Sequence, residues 1–220
     1  VRDCQAIIKK AIAVSLSEKY GVQWLAEDGV NYQIQFNIYK DKVSLMIDTS
    51  GDPLHKRGYR TKSNLAPLRE TIAASIVMLS YWKFEDVLCD PFCGSGTIPI
   101  EAACFKKNIA PGINRGFASE SFLFVKKEAW DLAREEAKSN ERDLKLKIIA
   151  SDIDSECINI SKENAKRAGV ENDIEFKVLN ALDFKTDISG GTIMCNPPYG
   201  ERLGEKKECE ELYKGLGRVF

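Results

Sequence analysis

Hydrophobic positions in the first fifty residues follow two different periods. Between residues 3 and 19, apolar side chains recur at helical spacing with lysines opposite, which predicts an amphipathic helix ending near Gly21. From Tyr32 to Asp48, apolar and polar residues alternate on both sides of a Lys40-Asp41-Lys42 turn, which predicts an antiparallel hairpin. We expect the helix to pack on the sheet that this hairpin forms.

Beyond the hairpin, short apolar runs alternate with helical patterns. A helix is predicted over 67–82, followed by strands over 86–90, 147–152, 174–179 and 192–195, with helices over 97–108, 126–142 and 155–168 between them and one beginning near residue 211. Strands that alternate with helices indicate a parallel sheet with covered faces. The predicted fold class is α/β, a Rossmann-like parallel sheet preceded by a partial α+β region.

Composition narrows the class of protein. The chain has 220 residues, of which 44% are hydrophobic and 30% charged, and this composition excludes disorder. No apolar run approaches the roughly 18 to 20 residues of a membrane span, and the first residues do not form a targeting peptide, so we expect a cytoplasmic protein without membrane association. Seven cysteines and one histidine lack the spacing of a zinc site or disulfide framework, so we expect reduced thiols and no metal.

The net charge of −1 is unevenly distributed along the chain. Residues 1–70 hold 11 Lys and Arg against 8 Asp and Glu, and residues 53–69 hold five basic residues and no acidic one. A solvated basic face is one explanation of such a run, but an aromatic residue among arginines favours contact with phosphates and bases of a nucleic acid. The predicted contact residues are Lys56, Arg57, Tyr59, Arg60 and Lys62.

The segment from Asp90 to Thr97, Asp-Pro-Phe-Cys-Gly-Ser-Gly-Thr, lies where the first parallel strand leads into a helix. Gly94 and Gly96 permit a tight turn and let a ligand approach bare backbone amides, which predicts a cofactor site. The segment is neither a dinucleotide fingerprint nor a P-loop, so a purely structural turn is the alternative. Asp90 adds an anion at the strand end that suits an ammonium or sulfonium group.

A second acid, Asp152, ends the second parallel strand. A carboxylate at this edge of the sheet can accept hydrogen bonds from two ribose hydroxyls. Asp152 lies about 56 residues after the glycine turn instead of the usual ~20, so the two motifs together are a weaker indication of a cofactor site. A helix N-cap is the alternative role, but Asp154 or Ser155 can fill it and leave Asp152 free.

The most specific motif, Asn196-Pro-Pro-Tyr199, follows the fourth strand. Pro197 and Pro198 fix the backbone and remove two amide donors, so the Asn196 side-chain oxygen and a neighbouring carbonyl can both accept from one planar amine. Such acceptors stabilise the positive charge that develops as the nitrogen attacks carbon, and no general base is required first. Tyr199 can stack on the base. An ordinary strand-ending loop is the alternative interpretation.

These motifs resemble those of class I S-adenosylmethionine-dependent methyltransferases that modify exocyclic amines, in the branch that carries an RNA-binding THUMP domain. The chain looks most similar to bacterial enzymes labelled adenine-specific DNA methylases, which resemble guanine-N2 methyltransferases of large-subunit ribosomal RNA. The likeness runs through nearly the whole chain and also includes Leu54–Arg60. It implies three regions: residues 1–50 as the C-terminal part of a THUMP domain, 51–64 as a basic linker and 65–220 as an incomplete Rossmann-like methyltransferase domain.

The resemblance further implies S-adenosylmethionine as cofactor and structured RNA, ribosomal RNA above all, as partner. The chain departs from the family after the third strand, where Asn180-Ala181 replaces a common aspartate that accepts from the adenine amine. Either Asn180 or Asp183 can take that role. The implied cofactor-binding residues are Asp90, Phe92, Cys93, Gly94, Gly96, Thr97, Asp152, Ile153, Asn180, Ala181 and Asp183.

The predicted function is methylation of an exocyclic base amine in RNA, most strongly N2 of a guanine in large-subunit ribosomal RNA. Adenine-N6 methylation of DNA is one alternative, and a non-catalytic RNA-binding or assembly protein that kept a cofactor fold is another. Family members continue before the first helix and after the last one. We therefore expect this chain to be a fragment without full activity of its own, with the fourth parallel strand as an exposed edge.

Overall fold

The structure, a computed structural model, describes residues 2–25, 28–60, 67–83, 85–185, 190–199 and 206–219. Every predicted helix and strand occurs in these ranges, in the predicted order. The elements are α1 Arg2–Tyr20, β1 Ile34–Tyr39, β2 Lys42–Ile47, α2 Glu70–Leu79, β3 Leu88–Asp90, α3 Thr97–Lys106, α4 Lys127–Ser139, β4 Ile148–Asp152, α5 Ser155–Ala168, β5 Ile174–Val178, β6 Thr192–Ile193 and α6 Lys206–Val219. None of the described helices is long and apolar enough to cross a membrane.

β1 and β2 form the predicted antiparallel hairpin, in register from Ile34 opposite Ile47 to Tyr39 opposite Lys42. Lys40 and Asp41 both have positive φ angles, 48° and 59°, and make a two-residue turn. Turns of this handedness match the twist of the two strands that they join. The hairpin prediction is confirmed.

The expected packing of α1 on the hairpin is wrong for the described residues. No residue of α1 is buried, and every residue of β2 is exposed. Apolar side chains of both elements, such as Ile7 and Leu45, lie on the surface. The amphipathic pattern specifies that a helix has an apolar face, but it does not specify the surface that covers this face.

The four later strands form a parallel sheet in the order β5-β4-β3-β6. This confirms the predicted α/β class. All three residues of β3 are buried, as expected for a central strand. β6 lies at one edge of the described sheet, and its Ile193 is exposed, as the sequence predicts for the fourth parallel strand.

The core lies between the sheet and three helices. α3 packs against β3 and β4 and also contacts α2 and α5, so all of its first seven residues, Thr97–Ala103, are buried. Leu88, Ile100 and Ile148 are at most 2% exposed in this core. Full burial of such a side chain contributes about 1.5–3 kcal/mol. The start of α3, and with it the turn that precedes the helix, is therefore held firmly against the sheet.

The segment that leads from the hairpin toward α2 folds around one side chain, Arg115. Its guanidinium donates hydrogen bonds to the carbonyl oxygens of Ser50, Asp52, Pro53 and Lys56, at 2.5–3.2 Å. A planar guanidinium has five N–H donors in a fixed fork and can hold several acceptors at once. Residues 50–56 are thus attached to the loop between α3 and α4.

Candidate active site

The carboxyl ends of four parallel strands meet at one edge of the sheet. In spatial order from β5 to β6, these ends are followed or closed by Asn180, Asp152, Asp90 and Asn196. The chain adds β4 on one side of β3 and later adds β6 on the other side, which makes β3/β6 a topological switch point. Ligands of open α/β sheets bind in the crevice at such a point.

α5 fixes the shape of the glycine turn. The Ser161 hydroxyl donates to the carbonyl of Gly94 at 2.7 Å, and the Asn164 amide donates to the carbonyl of Ser95 at 3.0 Å. Gly96 has a φ of 81°, and a Cβ there would lie 3.1 Å from Ser161 Cβ. The turn therefore needs glycine both for its backbone conformation and for its close approach to α5.

Asp90 is a buried carboxyl group, only 1% exposed, at the end of β3. One of its oxygens accepts from the amide of Phe92 at 3.1 Å, and no cationic side chain of the described residues pairs with it. Burial raises the pKa of Asp90 from 3.8 to about 8, and repulsion by Asp152 adds to this increase. A cation bound beside Asp90 would stabilise its charged form, so the position suits a positively charged ligand.

Asp152 connects β4 to the glycine turn. Its Oδ2 accepts from the amide of Gly94 at 2.9 Å, and its Oδ1 accepts from the amide of Asp154 at 3.0 Å. The Gly94 amide, which the sequence suggested was bare, is therefore already bound. Asp154 itself caps α5 by accepting from the amide of Glu156, which confirms one of the two predicted N-cap alternatives. Asp152 is partly exposed and has remaining lone pairs for ligand hydroxyls.

The turn after β5 is tied to the same edge. The amide of Leu179 donates to the carbonyl of Asp152 at 2.9 Å. Asn180 begins a short 3-10 turn, and its side-chain oxygen accepts from the amide of Leu182 at 3.0 Å, so one of its two lone pairs is in use. Ala181 is buried, whereas Asp183 at the far end of the turn is exposed.

The Asn196 corner, residues 196–199, follows β6 beside Asp90. Cys89 pairs with Ile193, and the amide of Met194 donates to the carbonyl of Cys89 at 3.0 Å. Burial, with a contribution from the nearby Asp90 charge, raises the pKa of the Cys195 thiol to about 11. Asn196 and Tyr199 are exposed, and Pro197 and Pro198 between them are half-buried. The glycine turn and the Asn196 corner therefore end at the same edge of the sheet.

Two predicted cofactor contacts, Cys93 and Thr97, have buried side chains that contact other parts of the domain. The amide of Cys93 donates to the carbonyl of Ser151 in β4, and its carbonyl accepts from the amide of Gly96 within the turn. Burial raises the pKa of the Cys93 thiol, which lies 3.9 Å from Ser161 Oγ. The Thr97 hydroxyl is buried and accepts from Arg60 at 2.5 Å. Both residues are buried, and their role as cofactor contacts stays a prediction. Phe92 is half-buried, and Ile153, beside Asp152, is 71% exposed.

In the predicted nucleic-acid stretch, three side chains contact the protein itself, so their assignments require correction. Tyr59 is 3% exposed and donates to Glu101 at 3.0 Å. Arg57 also pairs with Glu101, and Arg60 pairs with the buried Glu70 at 3.2 Å. All three side chains interact with the protein's own carboxylates. The Tyr59 ring is buried, and the side chains of Arg57 and Arg60 are 14% and 12% exposed.

Of the remaining two predicted contacts, Lys56 is exposed and forms an ion pair with Asp52, four residues earlier in the chain. Lys62 lies outside the described residues. The described residues contain no group of three or more His, Cys, Asp or Glu side chains that could hold a metal ion.

Sequence reasoning did not identify Ser161 and Asn164 as part of the site. Both are buried polar residues, spaced three apart on α5, whose side chains bond to the glycine turn. Polar residues on the inward face of an amphipathic helix are the signal that could have revealed them.

Comparison with known proteins agrees with this arrangement. Residues 57–220 match the UPF0020 family, described as RMKL-like, methyltransferase domain. The match covers most of the chain, and the chain therefore belongs to this family.

Three similar proteins indicate the range of the family. "Putative RNA methyltransferase YpsC" of Bacillus subtilis is 47% identical over 223 residues, which cover 100% of this chain and 58% of YpsC. "Ribosomal RNA large subunit methyltransferase K/L" of Shewanella pealeana is 40% identical over 196 residues, which cover 86% of this chain and 28% of that protein. The crystal structure of SMU.472, "a putative methyltransferase complexed with SAH", superposes with a TM-score of 0.92 at 40% identity, covering 98% of this chain and 58% of that one. The chain thus spans little more than half the length of YpsC and SMU.472.

Proposed function

We propose that the intact protein transfers a methyl group from S-adenosylmethionine to an exocyclic base amine in RNA. The observation that carries this proposal is the order of side chains along one sheet edge: Asn180, Asp152, Asp90 and Asn196. The order matches that of the groups they would contact. These are the adenine, the ribose and the methionine part of S-adenosylmethionine, and then the acceptor nitrogen of the base. The UPF0020 family membership and the bound SAH in SMU.472 support the choice of reaction and cofactor.

The residues at this edge fit the cofactor. S-adenosylmethionine supplies an electrophilic methyl group on a positively charged sulfur when it is bound. The buried Asp90, which has no cationic partner among the described residues, would balance the positive charge of the methionine part. Asp152 would accept from the ribose hydroxyls, and the exposed Ile153 beside it offers apolar surface to the adenine. Asn180, Ala181 and Asp183 would meet the edge of the adenine ring.

The Asn196 corner would hold the acceptor amine. The Asn196 side-chain oxygen and a neighbouring carbonyl would accept the two amine hydrogens, which keeps the nitrogen lone pair directed toward the methyl carbon. These acceptors also stabilise the positive charge that appears on nitrogen as the bond forms. The proton leaves to water after the transfer. Tyr199, with 59% of its surface exposed, would stack on a base that has left its helix.

RNA is the substrate class that the relatives favour, since YpsC is named as an RNA methyltransferase and K/L as a methyltransferase of large-subunit ribosomal RNA. We propose N2 of a guanine in large-subunit ribosomal RNA as the target. A cavity of about 680 Å³ at the linker offers a basic surface for RNA phosphates. Its lining also includes Arg57 and Arg60, together with the carboxylates of Asp52 and Glu70. We propose that the exposed Lys56 and Arg69, with His55, replace the carboxylate-paired Arg57 and Arg60 and the buried Tyr59 as contacts.

The decisive experiment replaces Asn196 by Ala in the intact protein. We expect methyl transfer to ribosomal RNA to fall about 100-fold or more, because an acceptor aimed at developing charge is lost, while S-adenosylmethionine affinity measured by calorimetry stays the same. Mass spectrometry of nucleosides from the treated RNA should detect N2-methylguanosine.

Other outcomes would contradict the proposal in different ways. Retained turnover in the Asn196→Ala variant would remove the proposed acceptor role. Appearance of N6-methyladenine in DNA, with unmodified RNA, would change the substrate. Failure of the wild-type protein to bind S-adenosylmethionine would favour a non-catalytic RNA-binding protein.

A further inference from the structure

α6 contacts both loops that the proposed reaction uses. The Tyr213 hydroxyl donates to the carbonyl oxygen of Pro198, in the Asn196 corner, at 2.8 Å. Two residues further on, Gly215 packs directly on Leu182, in the 3-10 turn after β5. A Cβ on Gly215 would lie 2.6 Å from Leu182 Cδ2, so the Leu182 side chain packs directly on the backbone of α6.

The C-terminal end of α6 is anchored in the sheet. Val219 packs against a buried cluster of Val87, Cys89 and Phe184. Val87 directly precedes β3, Cys89 lies within this strand, which leads into the glycine turn, and Phe184 follows the 3-10 turn. Cys209, in the second turn of the helix, is buried. α6 is therefore fixed to the body of the domain at the same time as it contacts the two loops.

The Asn196 corner depends on outside donors for its position. Pro197 and Pro198 have no amide hydrogens, so the corner cannot fix its own carbonyl groups with internal backbone hydrogen bonds from these residues. The Tyr213 hydroxyl supplies such a donor two residues after Asn196. Removing this hydroxyl would leave the chain fold unchanged and free the corner to shift.

We propose that Tyr213 is a positioning residue for methyl transfer, because α6 holds the Asn196 corner and the turn after β5 in one rigid frame. Through this frame, the acceptor amine and the adenine end of the cofactor are located by the same helix. The role rests on the methyl transfer proposed above. It assigns α6 a function in alignment in addition to its packing on the sheet.

The first test replaces Tyr213 by Phe in the intact protein, which removes one oxygen atom and retains the ring. We expect kcat for RNA methylation to fall about tenfold, because small displacements of reacting groups cost one to two orders of magnitude in rate. KM for RNA, affinity for S-adenosylmethionine and unfolding temperature should not change. Tyr81→Phe is the matched control, since Tyr81 is 98% exposed and the same atom is removed there.

The second test compares two glycines of α6. Gly215→Ala requires the Leu182 side chain to move and so changes the contact between α6 and the turn, whereas Gly217→Ala introduces a methyl group that meets nothing within 4 Å. Both substitutions favour the helix equally, by about 1 kcal/mol. We expect only Gly215→Ala to weaken S-adenosylmethionine binding, by about three- to tenfold.

Three results would overturn the proposed role of Tyr213. If Tyr213→Phe and Tyr81→Phe have the same kcat while the wild-type enzyme is active, the positioning role alone is wrong. If Tyr213→Phe lowers the unfolding temperature and changes kcat and KM together, the hydroxyl serves the fold and not the alignment. If the wild-type protein neither binds S-adenosylmethionine nor methylates RNA, the proposed function fails and the positioning role fails with it.

Discussion

The carboxylate of Asp152 accepts a hydrogen bond from the amide of Gly94, 58 residues earlier in the chain, at 2.9 Å. This bond joins the end of β4 to the glycine turn that follows β3. The two predicted halves of the cofactor site are therefore one structural unit, and a change at either residue should affect both the turn and its ligand.

Replacing Asp152 by Asn tests this unit. The amide oxygen of Asn can still accept from Gly94, but the charge is lost. The second oxygen, which accepts from the amide of Asp154 and has a lone pair left for a ribose hydroxyl, becomes an NH2 donor. We expect S-adenosylmethionine affinity to fall about tenfold or more, since a hydrogen bond to a charged group contributes about 1.5–3 kcal/mol. Asp154→Asn is the matched control because Asn caps helices as well as Asp does. Equal affinities of the two variants in calorimetry would contradict the ribose-binding role.

The pKa of Asp90 predicts a pH dependence of cofactor binding. A cationic ligand favours the ionised carboxylate, so binding below pH 8 should release a proton from Asp90, whose pKa is about 8. Affinity should therefore rise with pH between about 6 and 8, by at most tenfold per pH unit. Calorimetry in buffers of different ionisation enthalpy measures the released proton. The same release from the Asp90→Asn variant would show that another group is responsible.

Asp90 also predicts how stability changes with pH without the cofactor. Its pKa is higher in the folded protein than the ordinary 3.8, so its contribution to stability is complete below about pH 4 and is lost as pH rises toward 8. Asp90→Asn should remove this loss. We expect the stability of the variant relative to wild type to increase between pH 5 and pH 8 in urea unfolding, and a constant difference would disagree with the raised pKa.

Gly96 can be compared with Gly190, since their φ angles are nearly the same, 81° and 86°. Alanine at Gly190 meets nothing within 4 Å, so only backbone strain of about 1–2 kcal/mol is expected. Alanine at Gly96 also presses on Ser161 and should cost more stability and weaken S-adenosylmethionine binding. Thermal unfolding and calorimetry of both variants give the comparison, and similar effects would mean that the contact with α5 is unimportant.

The internal position of Tyr59 predicts a loss of stability without a loss of RNA affinity. Tyr59→Phe removes a buried hydrogen bond and leaves one oxygen of Glu101 without its donor, at a cost of about 1–3 kcal/mol. Lys56→Ala should leave stability unchanged and weaken RNA binding at low salt, because Lys56 is exposed at the linker cavity. Filter binding and urea unfolding separate the two effects. Weaker RNA binding by a fully folded Tyr59→Phe variant would restore the original prediction.

Helices and strands could be predicted from the sequence where the hydrophobic pattern and the capping residues indicate the same boundaries. α5 runs from Ser155 to Ala168 as predicted, because Asp154 caps its start and Gly169 ends it with a φ of 75°. The candidate site was also predictable at the level of strand ends, since Asp90, Asp152 and Asn196 each follow or close a strand whose apolar run is visible in the sequence. Parallel pairing then brings those ends together without further information.

The wrong predictions have a common physical origin in contacts between distant residues. The basic stretch around Tyr59 looks the same whether its partners are RNA phosphates or the protein's own carboxylates, and Glu101 lies 42 residues away. The hydrogen bonds from Ser161 and Tyr213 to the two loops likewise follow from the tertiary arrangement alone. Local sequence patterns contain no information about these pairings.

The hydrogen bonds of the Arg115 guanidinium affect the order in which parts of the chain can fold during synthesis. Four carbonyl groups of residues 50–56 accept from that side chain, which the ribosome adds about sixty residues later. Because synthesis proceeds from the N-terminus, the junction between the hairpin and the sheet domain must wait for the loop that holds Arg115. The hairpin can form early from local contacts, but the bonds from Arg115 to residues 50–56 form only after residue 115 has been synthesised.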